Sequence, residues 1–205
     1  MSDKPLFFVS LDLETSGTDH DLSVPIQIGL AVGAYNNNVK DSLIGGWDWN
    51  KYEWDAEAEK VHGIEQVLID LQPGATLVDG MMAMWLWERL PDHARRSRQY
   101  VVPLGWNVAG FDMPFVRKHL PHLASMFSYR ALDLNSVCFF LGGEDKWRQM
   151  KSQAKDGGID IIRELNGGPS SPDDYASLAH DAGFDAQWAM AAYHWLRDVY
   201  ATPLF

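Results

Sequence analysis

Hydrophobic and polar positions along the chain predict a sheet with helices on its faces. Apolar, β-prone stretches at 6–14 and 25–34 are bounded by turn residues, and a third at 40–49 follows an asparagine turn, which predicts an antiparallel meander. After it, strand-length apolar segments alternate with segments of helical period. The predicted strands there are 100–106 and 129–134, and the predicted helices are 55–61, 76–90, 107–120, 135–141, 159–165, 173–182 and 184–200.

Length and composition predict one packed domain over residues 1–205. The chain is 46% hydrophobic, contains nine tryptophans and shows neither an internal repeat nor a linker. Its least regular part is 142–172, which carries three glycine pairs and a Pro-Ser-Ser-Pro run. We expect mobile loops around one short helix there. Whether this segment contacts a substrate or a partner is left open.

The charge of the chain restricts its partners. A formal net charge of −11 argues against sequence-independent binding of long duplexes, which needs a basic face. It remains compatible with short, end-bound or single-stranded nucleic acid. The one cysteine, Cys138, lies in an apolar run and is expected to be buried. No membrane span and no signal peptide are evident, so we expect a cytoplasmic protein.

Asp12 and Glu14 are the first candidates for chemistry. They end the apolar stretch 6–14 and stand two residues apart, so they share one face of the predicted strand. Two like charges on a buried strand are costly unless they are compensated, and a divalent cation is a natural compensation. The spacing is also frequent by chance in an acidic chain, and Asp55 with Glu57 is a pair that we assign to a solvated helix surface. The residues alone leave the metal site open.

Three later sites carry polar residues next to predicted helix ends. Asp112 begins a helix shortly after Asn107 and Phe111, where the helix dipole favours an anion. His180 and Asp185 flank a glycine turn. His62 precedes a glycine at the end of an acidic helix. Each site also has an ordinary structural explanation as a helix start, a cap or a surface residue.

Taken together, these residues resemble the DEDDh family of 3′–5′ exonucleases, which includes the proofreading subunit of bacterial DNA polymerase III, ribonuclease T and oligoribonuclease. Asp-x-Glu-Thr-x-Gly matches at 12–17, Asn before Phe-Asp at 107–112, and His-x-Ala-x-x-Asp at 180–185. The segment 61–64 and Asp133 match in the same order. The resemblance extends from residue 5 to about residue 200.

The resemblance implies a ribonuclease H-like α/β fold, a five-stranded mixed sheet flanked by helices. It implies release of nucleoside monophosphates from the 3′ ends of single-stranded DNA or RNA, or from short oligonucleotides. Two Mg²⁺ or Mn²⁺ ions would be held by Asp12, Glu14, Asp112 and Asp185, with His180 as the general base. Such a pair of cations activates a water and stabilises the attacking and leaving oxygens of a phosphodiester.

Five further residues are candidates for binding the substrate. They are Thr15, Ser16, His62, Asn107 and Phe111. Phe111 and His62 would offer rings on which unpaired bases can stack, while Thr15 and Ser16 would offer hydroxyl groups or backbone donors. A homodimer is left open. The alternatives are a catalytically weak module of this fold that binds nucleotides or a protein, and a ribonuclease H-like endonuclease.

Overall fold

The structure is a computed structural model, and it describes residues 4–33, 38–166 and 180–200. It contains one sheet of five strands, whose spatial order is β3-β2-β1-β4-β5. The strands are β1 (Phe7–Thr15), β2 (Pro25–Val32), β3 (Val39–Leu43), β4 (Val101–Gly105) and β5 (Leu132–Asp133). The predicted α/β fold with a five-stranded sheet is confirmed.

The sheet is mixed, and β1 lies at its centre. β1 pairs with β2 in antiparallel orientation, and β2 pairs with β3 in the same way, which confirms the predicted meander. On the other side β1 is parallel to β4, and β4 is parallel to β5. The register places Asp12 opposite Gly29, and it shifts between Glu14 and Thr15. The carboxyl ends of β1, β4 and β5 therefore meet at one edge, which is where the candidate acids lie.

Eight α-helices are described. They are α1 (Ala56–His62), α2 (Gln66–Ile69), α3 (Ala75–Arg89), α4 (Asp92–Arg96), α5 (Asp112–His119), α6 (Pro121–Met126), α7 (Leu134–Asn166) and α8 (Ala182–Tyr200). A 3₁₀ turn covers Arg98–Tyr100. The short helices α2, α4 and α6 were not predicted. Of the predicted helix 173–182, residues 173–179 lie outside the described residues.

Residues 142–172 were predicted to be irregular, and this prediction is wrong for the part that is described. Helix α7 runs through it to Asn166, with one kink at Gly143, whose φ is +64°. Residues 167–172 lie outside the described residues. The glycines at 157 and 158 are a packing contact and do not end the helix. A Cβ on Gly157 would come 2.3 Å from the ring of Trp195, and one on Gly158 would come 2.9 Å from the backbone nitrogen of Ala192.

The alternation of side chains along β1 divides the core into two layers. Val9, Leu11 and Leu13 are buried in the main cluster, together with residues of α3, α5 and α6. The even-numbered positions face the opposite layer, where Phe8 packs on Tyr193 of α8. Asp12 and Glu14 belong to this second set, because side chains along a strand alternate between faces. The strand therefore directs both acids toward α8.

No helix in the described part of the chain combines the length and apolar character that crossing a membrane requires.

Candidate active site

Asp12 and Glu14 lie on the central strand, on the face turned toward α8. Glu14 is buried, with 8% of its surface exposed, and Asp12 is partly buried. A sheet interior offers few ways to neutralise two carboxylates, so their position is unfavourable unless a cation or a proton accompanies them. The strand holds both groups in place, because Asp12 and Glu14 are paired with Gly29 and Gln27 of β2.

Asp112, the first residue of α5, lies close to the same part of β1. Its Oδ1 accepts a hydrogen bond of 3.1 Å from the backbone N–H of Leu13, 99 positions earlier, and the residue is buried. Leu13 lies between Asp12 and Glu14 in sequence. The bond therefore fixes the start of α5 against the part of β1 that carries the acids.

Asp185 and His180 approach from the other side. Asp185 stands in the first turn of α8, and its Oδ2 accepts a hydrogen bond of 3.1 Å from the backbone N–H of His180. His180 is exposed and has a φ of +66°. One potential ligand atom from each of Glu14, His180 and Asp185 lies within 4.8 Å of the other two. The first motif of the sequence thus meets the last one across the face of the sheet.

The four carboxylates influence one another electrostatically. Burial raises the pKa of Asp12 well above its ordinary value, and the charges of Asp112, Asp185 and Glu14 raise it further. Burial raises the pKa of Glu14 to about 8, with Asp185 and Asp112 adding to the effect. These mutual effects require short distances between the groups. The structure therefore brings together the four acids that the sequence analysis grouped.

The pKa values of Asp112 and Asp185 are raised as well. Burial raises the pKa of Asp112 to about 8, although the N–H groups of Leu13 and of Asp112 itself oppose this rise. Burial also raises the pKa of Asp185, against the opposing effects of His180 and Lys155. Four carboxylates whose pKa values are all raised, two of them buried and two partly buried, form an oxygen-rich donor set. Such a set suits hard divalent cations such as Mg²⁺ or Mn²⁺.

Two of the predicted substrate-binding residues follow Glu14 directly. The hydroxyl of Thr15 donates to the carbonyl oxygen of Gly17, 2.7 Å away. Ser16 has no exposed surface; its hydroxyl donates to the carbonyl of Glu53 (2.7 Å) and accepts from the N–H of Val24 (3.1 Å). The N–H of Ser16 donates to the carbonyl of Val24. The expectation that Ser16 contacts a substrate is therefore wrong, because its donors hold the loop after β1 in place.

His62 lies on the His180 side of the site. Burial lowers its pKa, and the charge of His180 contributes to the lowering, which indicates that the two rings are near each other. Nδ1 of His62 accepts a hydrogen bond of 3.0 Å from the N–H of Ile64, so Nε2 carries the proton of the neutral ring. Nε2 is buried, and an interaction of the ring with the backbone of Thr15 opposes the lowering of the pKa.

Asn107 and Phe111 lie on the Asp112 side. Asn107 is exposed and has a φ of +65°, and its carbonyl accepts hydrogen bonds from the N–H groups of Gly110 and Phe111. Phe111 is half-buried, with its ring centroid 5.4 Å from that of Phe115. Part of this ring therefore belongs to the core.

The sequence analysis missed two residues around the site, Gln27 and Lys155. Gln27 of β2 donates from Nε2 to Oδ2 of Asp181 (2.9 Å), which ties the start of α8 to the sheet. The available signal was a polar residue in an otherwise apolar strand. Lys155 of α7 lowers the pKa of both Asp12 and Asp185. It was overlooked because its segment was interpreted as irregular, which hid its helical spacing from Lys151.

Comparison with solved structures identifies the fold. Exonuclease I in a product-bound form aligns with a TM-score of 0.59 at 16% identity, over 95% of this chain and 44% of that chain. The zinc-bound complex of E. coli exonuclease I with single-stranded DNA gives a TM-score of 0.63 at 16% identity, over 97% and 42% of the two chains. A further exonuclease I structure, described as suggesting how processivity is achieved, gives 0.62 at 18% identity, over 94% and 41%.

The chain therefore has the ribonuclease H-like fold found in exonuclease I. At these identities the likeness concerns the fold, and the chain spans less than half the length of these neighbours. No protein-family model matches the sequence, and no curated protein matches it.

Proposed function

We propose that this protein is a metal-dependent 3′–5′ exonuclease that releases nucleoside monophosphates from single-stranded DNA or RNA. The observation that supports the proposal is the meeting of Glu14, Asp185 and His180, with Asp12 and Asp112 close enough for their charges to act on the same cluster, on a fold that matches exonuclease I. One of these neighbours is described as a complex with single-stranded DNA. The four acids and the histidine come from one chain, so the proposed site is complete without a second copy.

Asp12, Glu14, Asp112 and Asp185 would hold two Mg²⁺ or Mn²⁺ ions. The donor set fits, since buried carboxylates that repel one another are stabilised by divalent cations. When bound, such ions supply an activated water and stabilise the charge that develops on the phosphate. Asp12 is our candidate for the acid shared by both ions, because it lies on the rigid central strand and is affected by the other three acids.

His180 would accept the proton of the attacking water. Its ring is exposed at the edge of the acidic cluster, and its backbone is fixed by the hydrogen bond to Asp185. A general base needs to be within hydrogen-bond reach of its water, which this position beside Glu14 and Asp185 allows. The same loop is held to β2 through Asp181, so the imidazole is positioned from both sides.

Thr15, His62, Asn107 and Phe111 would contact the terminal nucleotides. His62 and Thr15 lie on the His180 side, and the remaining two lie on the Asp112 side, so a strand end at the acids would be contacted from both directions. Aromatic rings at such positions favour unpaired bases. Single strands and short oligonucleotides are thus the proposed substrates. The proposal includes a cytoplasmic location.

The test uses matched DNA and RNA oligonucleotides, single- and double-stranded and labelled at the 5′ end, with Mg²⁺, with Mn²⁺ and with EDTA. We expect stepwise shortening from the 3′ end and release of mononucleotides only with metal, and no action on circular strands. Asp12→Ala and Asp185→Ala should abolish the reaction while the far-UV spectrum is unchanged. Asp92→Ala, which removes an exposed carboxylate on α4, serves as control.

His180→Ala should lower turnover by about 10²-fold or more, the range for loss of a general base. Its metal affinity, measured by calorimetry, should change much less than that of Asp185→Ala. Binding of the oligonucleotides without metal-dependent cleavage would instead indicate a binding module. Cleavage of circular strands would indicate an endonuclease.

A further inference from the structure

Two lysines of α7 lie over the aromatic residue that follows β4. Nζ of Lys151 is 5.2 Å from the ring centroid of Trp106, and Nζ of Lys155 is 5.7 Å from it. The two lysines are one helical turn apart and share a face of the helix. Nζ of Lys155 is also 4.6 Å from the ring centroid of Trp188 on α8. The rings limit where the two ammonium groups can move.

The helix that carries these lysines is held firmly against α8. Nε1 of Trp188 donates a hydrogen bond of 2.7 Å to the carbonyl oxygen of Lys155. Two and three residues further along, Gly157 and Gly158 let α7 approach so closely that neither position has room for a Cβ. Asp185 stands three residues before Trp188, so the same helix positions an acid of the site and the tryptophan that anchors Lys155.

The lysine pair borders the carboxylates. Trp106 follows the last residue of β4, which is parallel to β1, and at Gly105 the two strands approach so closely that a Cβ would lie 2.8 Å from the carbonyl oxygen of Leu11. Leu11 directly precedes Asp12. Among the lysines and arginines of the described residues, Lys155 is the one whose charge lowers the pKa of both Asp12 and Asp185. Burial and the charge of Lys155 lower the pKa of Lys151, and the charge of Asp133, at the end of β5, opposes this lowering.

We propose that Lys151 and Lys155 bind phosphate groups of the nucleic-acid strand whose end lies at the four carboxylates. This inference rests on the proposed function, and it names the element that attracts the strand. A polyanion that approaches a chain of net charge −11 and a cluster of four acids needs positive charge close to the site. The two ammonium groups supply it over the ring of Trp106, directly after β4, which is the neighbour of the strand that carries Asp12. The competing role is that of an internal counter-ion for Asp12 and Asp185, which would not need Lys151.

The experiment compares Lys151→Gln and Lys155→Gln with Lys146→Gln, which removes an exposed lysine of the same helix on a different face. All are made in the Asp12→Asn background, so that a labelled single strand stays intact in Mg²⁺. Affinity is measured by fluorescence anisotropy at several salt concentrations. Each of the first two changes should weaken binding on the order of fivefold. Each should also flatten the slope of log affinity against log salt by about 0.7, the value for one phosphate contact with a single strand.

Lys155→Arg retains the positive charge, so its salt slope should equal that of the unchanged lysine. If the role of Lys155 were purely structural, the salt slope would not depend on whether the side chain is charged. In the otherwise unchanged protein, Lys151→Gln should raise KM far more than it lowers kcat. If the salt slopes of Lys151→Gln and Lys155→Gln equal that of Lys146→Gln, the inference is overturned, even when the unchanged protein shows metal-dependent cleavage. An effect of Lys155→Gln without one of Lys151→Gln would also overturn it and favour the counter-ion role. If both variants flatten the salt slope as expected but the unchanged protein shows no metal-dependent cleavage, the phosphate contacts are retained and the exonuclease proposal is removed.

Discussion

Gln27 and Asp181, which are 154 positions apart, are joined by a hydrogen bond of 2.9 Å from Nε2 of Gln27 to Oδ2 of Asp181. Oε1 of the same amide accepts the N–H of Ala182 at 3.3 Å, and Oδ1 of Asp181 accepts the N–H of Phe184 at 2.9 Å. One side chain of β2 thus holds the first turn of α8. That turn carries Asp185, and the loop before it carries His180.

The first prediction follows from this anchor. Gln27→Ala removes the hydrogen bonds to Asp181 and Ala182 while leaving all proposed metal ligands in the chain. Cleavage should fall by about 10- to 100-fold, the loss typical when the partner that orients a ligand is removed. Most of the loss should be in kcat, because the loop of His180 is no longer fixed. Steady-state kinetics on a single-stranded oligonucleotide measure this.

Gln72→Ala is the matched control for this change. Gln72 is partly buried, and its amide donates only to the carbonyl of Leu68 one turn earlier. Unaltered kinetics in Gln27→Ala would show that α8 and its preceding loop hold their positions without the anchor.

The second prediction concerns a close backbone approach between the sheet and α8. Gly29 is opposite Asp12 in the register, and a Cβ on it would lie 1.8 Å from the carbonyl oxygen of Ala182. Gly29→Ala must therefore displace the start of α8, at a cost of about 1–3 kcal/mol typical of overpacking. Because Asp185 moves with the helix, cleavage should be lost as well. Urea unfolding and the cleavage assay report the two effects.

Gly80→Ala provides the contrast. Gly80 lies inside α3, and a Cβ there meets no atom within 4 Å. The change should stabilise the protein by about 0.5–1 kcal/mol, because alanine loses less backbone entropy in a helix. Equal midpoints for Gly29→Ala and the unchanged protein would contradict the packing argument.

The sequence revealed the acids because Asp12 and Glu14 conflict with their surroundings. Charged residues at the end of an apolar strand require a compensating partner, and local pattern alone is enough to notice this. The strands were predicted for a similar reason, since an apolar, β-prone run bounded by turn residues is a local signal. The resemblance then grouped Asp112, His180 and Asp185 with the first pair. In the structure, ligand atoms of Glu14, His180 and Asp185 lie within 4.8 Å of one another, Asp112 accepts the N–H of Leu13, and the charges of the other three acids act on Asp12.

The errors have a common cause, which is contact between distant parts of the chain. Gly157 and Gly158 look like helix breakers in sequence, and only the rings and backbone of α8 show that they are a packing surface. Ser16 looks like a substrate donor, yet its hydroxyl is bound to the carbonyl of Glu53, 37 positions away. Gln27 looks like an ordinary strand residue until Asp181 is placed beside it.

The third prediction concerns acid stability. Burial lowers the pKa of His119 to about 4, and the charge of Lys118 contributes, while the ring packs edge-on against Trp47 and Tyr52. In the unfolded chain a histidine takes up its proton near pH 6.5. The unfolded state therefore binds more protons between pH 6.5 and 4, so this contribution to stability is complete above pH 6.5 and is lost as the pH falls toward 4.

His119→Gln should weaken that dependence. The free energy of unfolding, measured in urea from pH 7 to pH 4, should fall less steeply in the variant than in the unchanged protein. Burial lowers the pKa of His194 to about 4 as well, so part of the slope should remain until His194 is also replaced. Parallel curves for the single variant and the unchanged protein would exclude His119 as a source of acid sensitivity.

The last prediction concerns the metal-free protein at higher pH and has the opposite sign. Burial, with the charges of Asp185 and Asp112, raises the pKa of Glu14 to about 8. The unfolded chain releases this proton near pH 4.5, whereas the folded chain keeps it until about pH 8. Between these values the folded state binds more protons, so the contribution of Glu14 to stability falls as the pH rises.

Glu14→Gln removes this titration and should raise the metal-free stability at pH 8 by about 0.5–2 kcal/mol, with little gain at pH 5. Thermal unfolding in EDTA at both pH values measures it, and Glu144→Gln, on the exposed surface of α7, is the control. Mg²⁺ should stabilise the unchanged protein more at pH 8 than at pH 5, because binding requires ionised carboxylates. It should stabilise Glu14→Gln much less. A variant no more stable than the unchanged protein in EDTA at pH 8 would mean that Glu14 carries no unfavourable charge there, and the argument that these buried acids need cations would lose its basis.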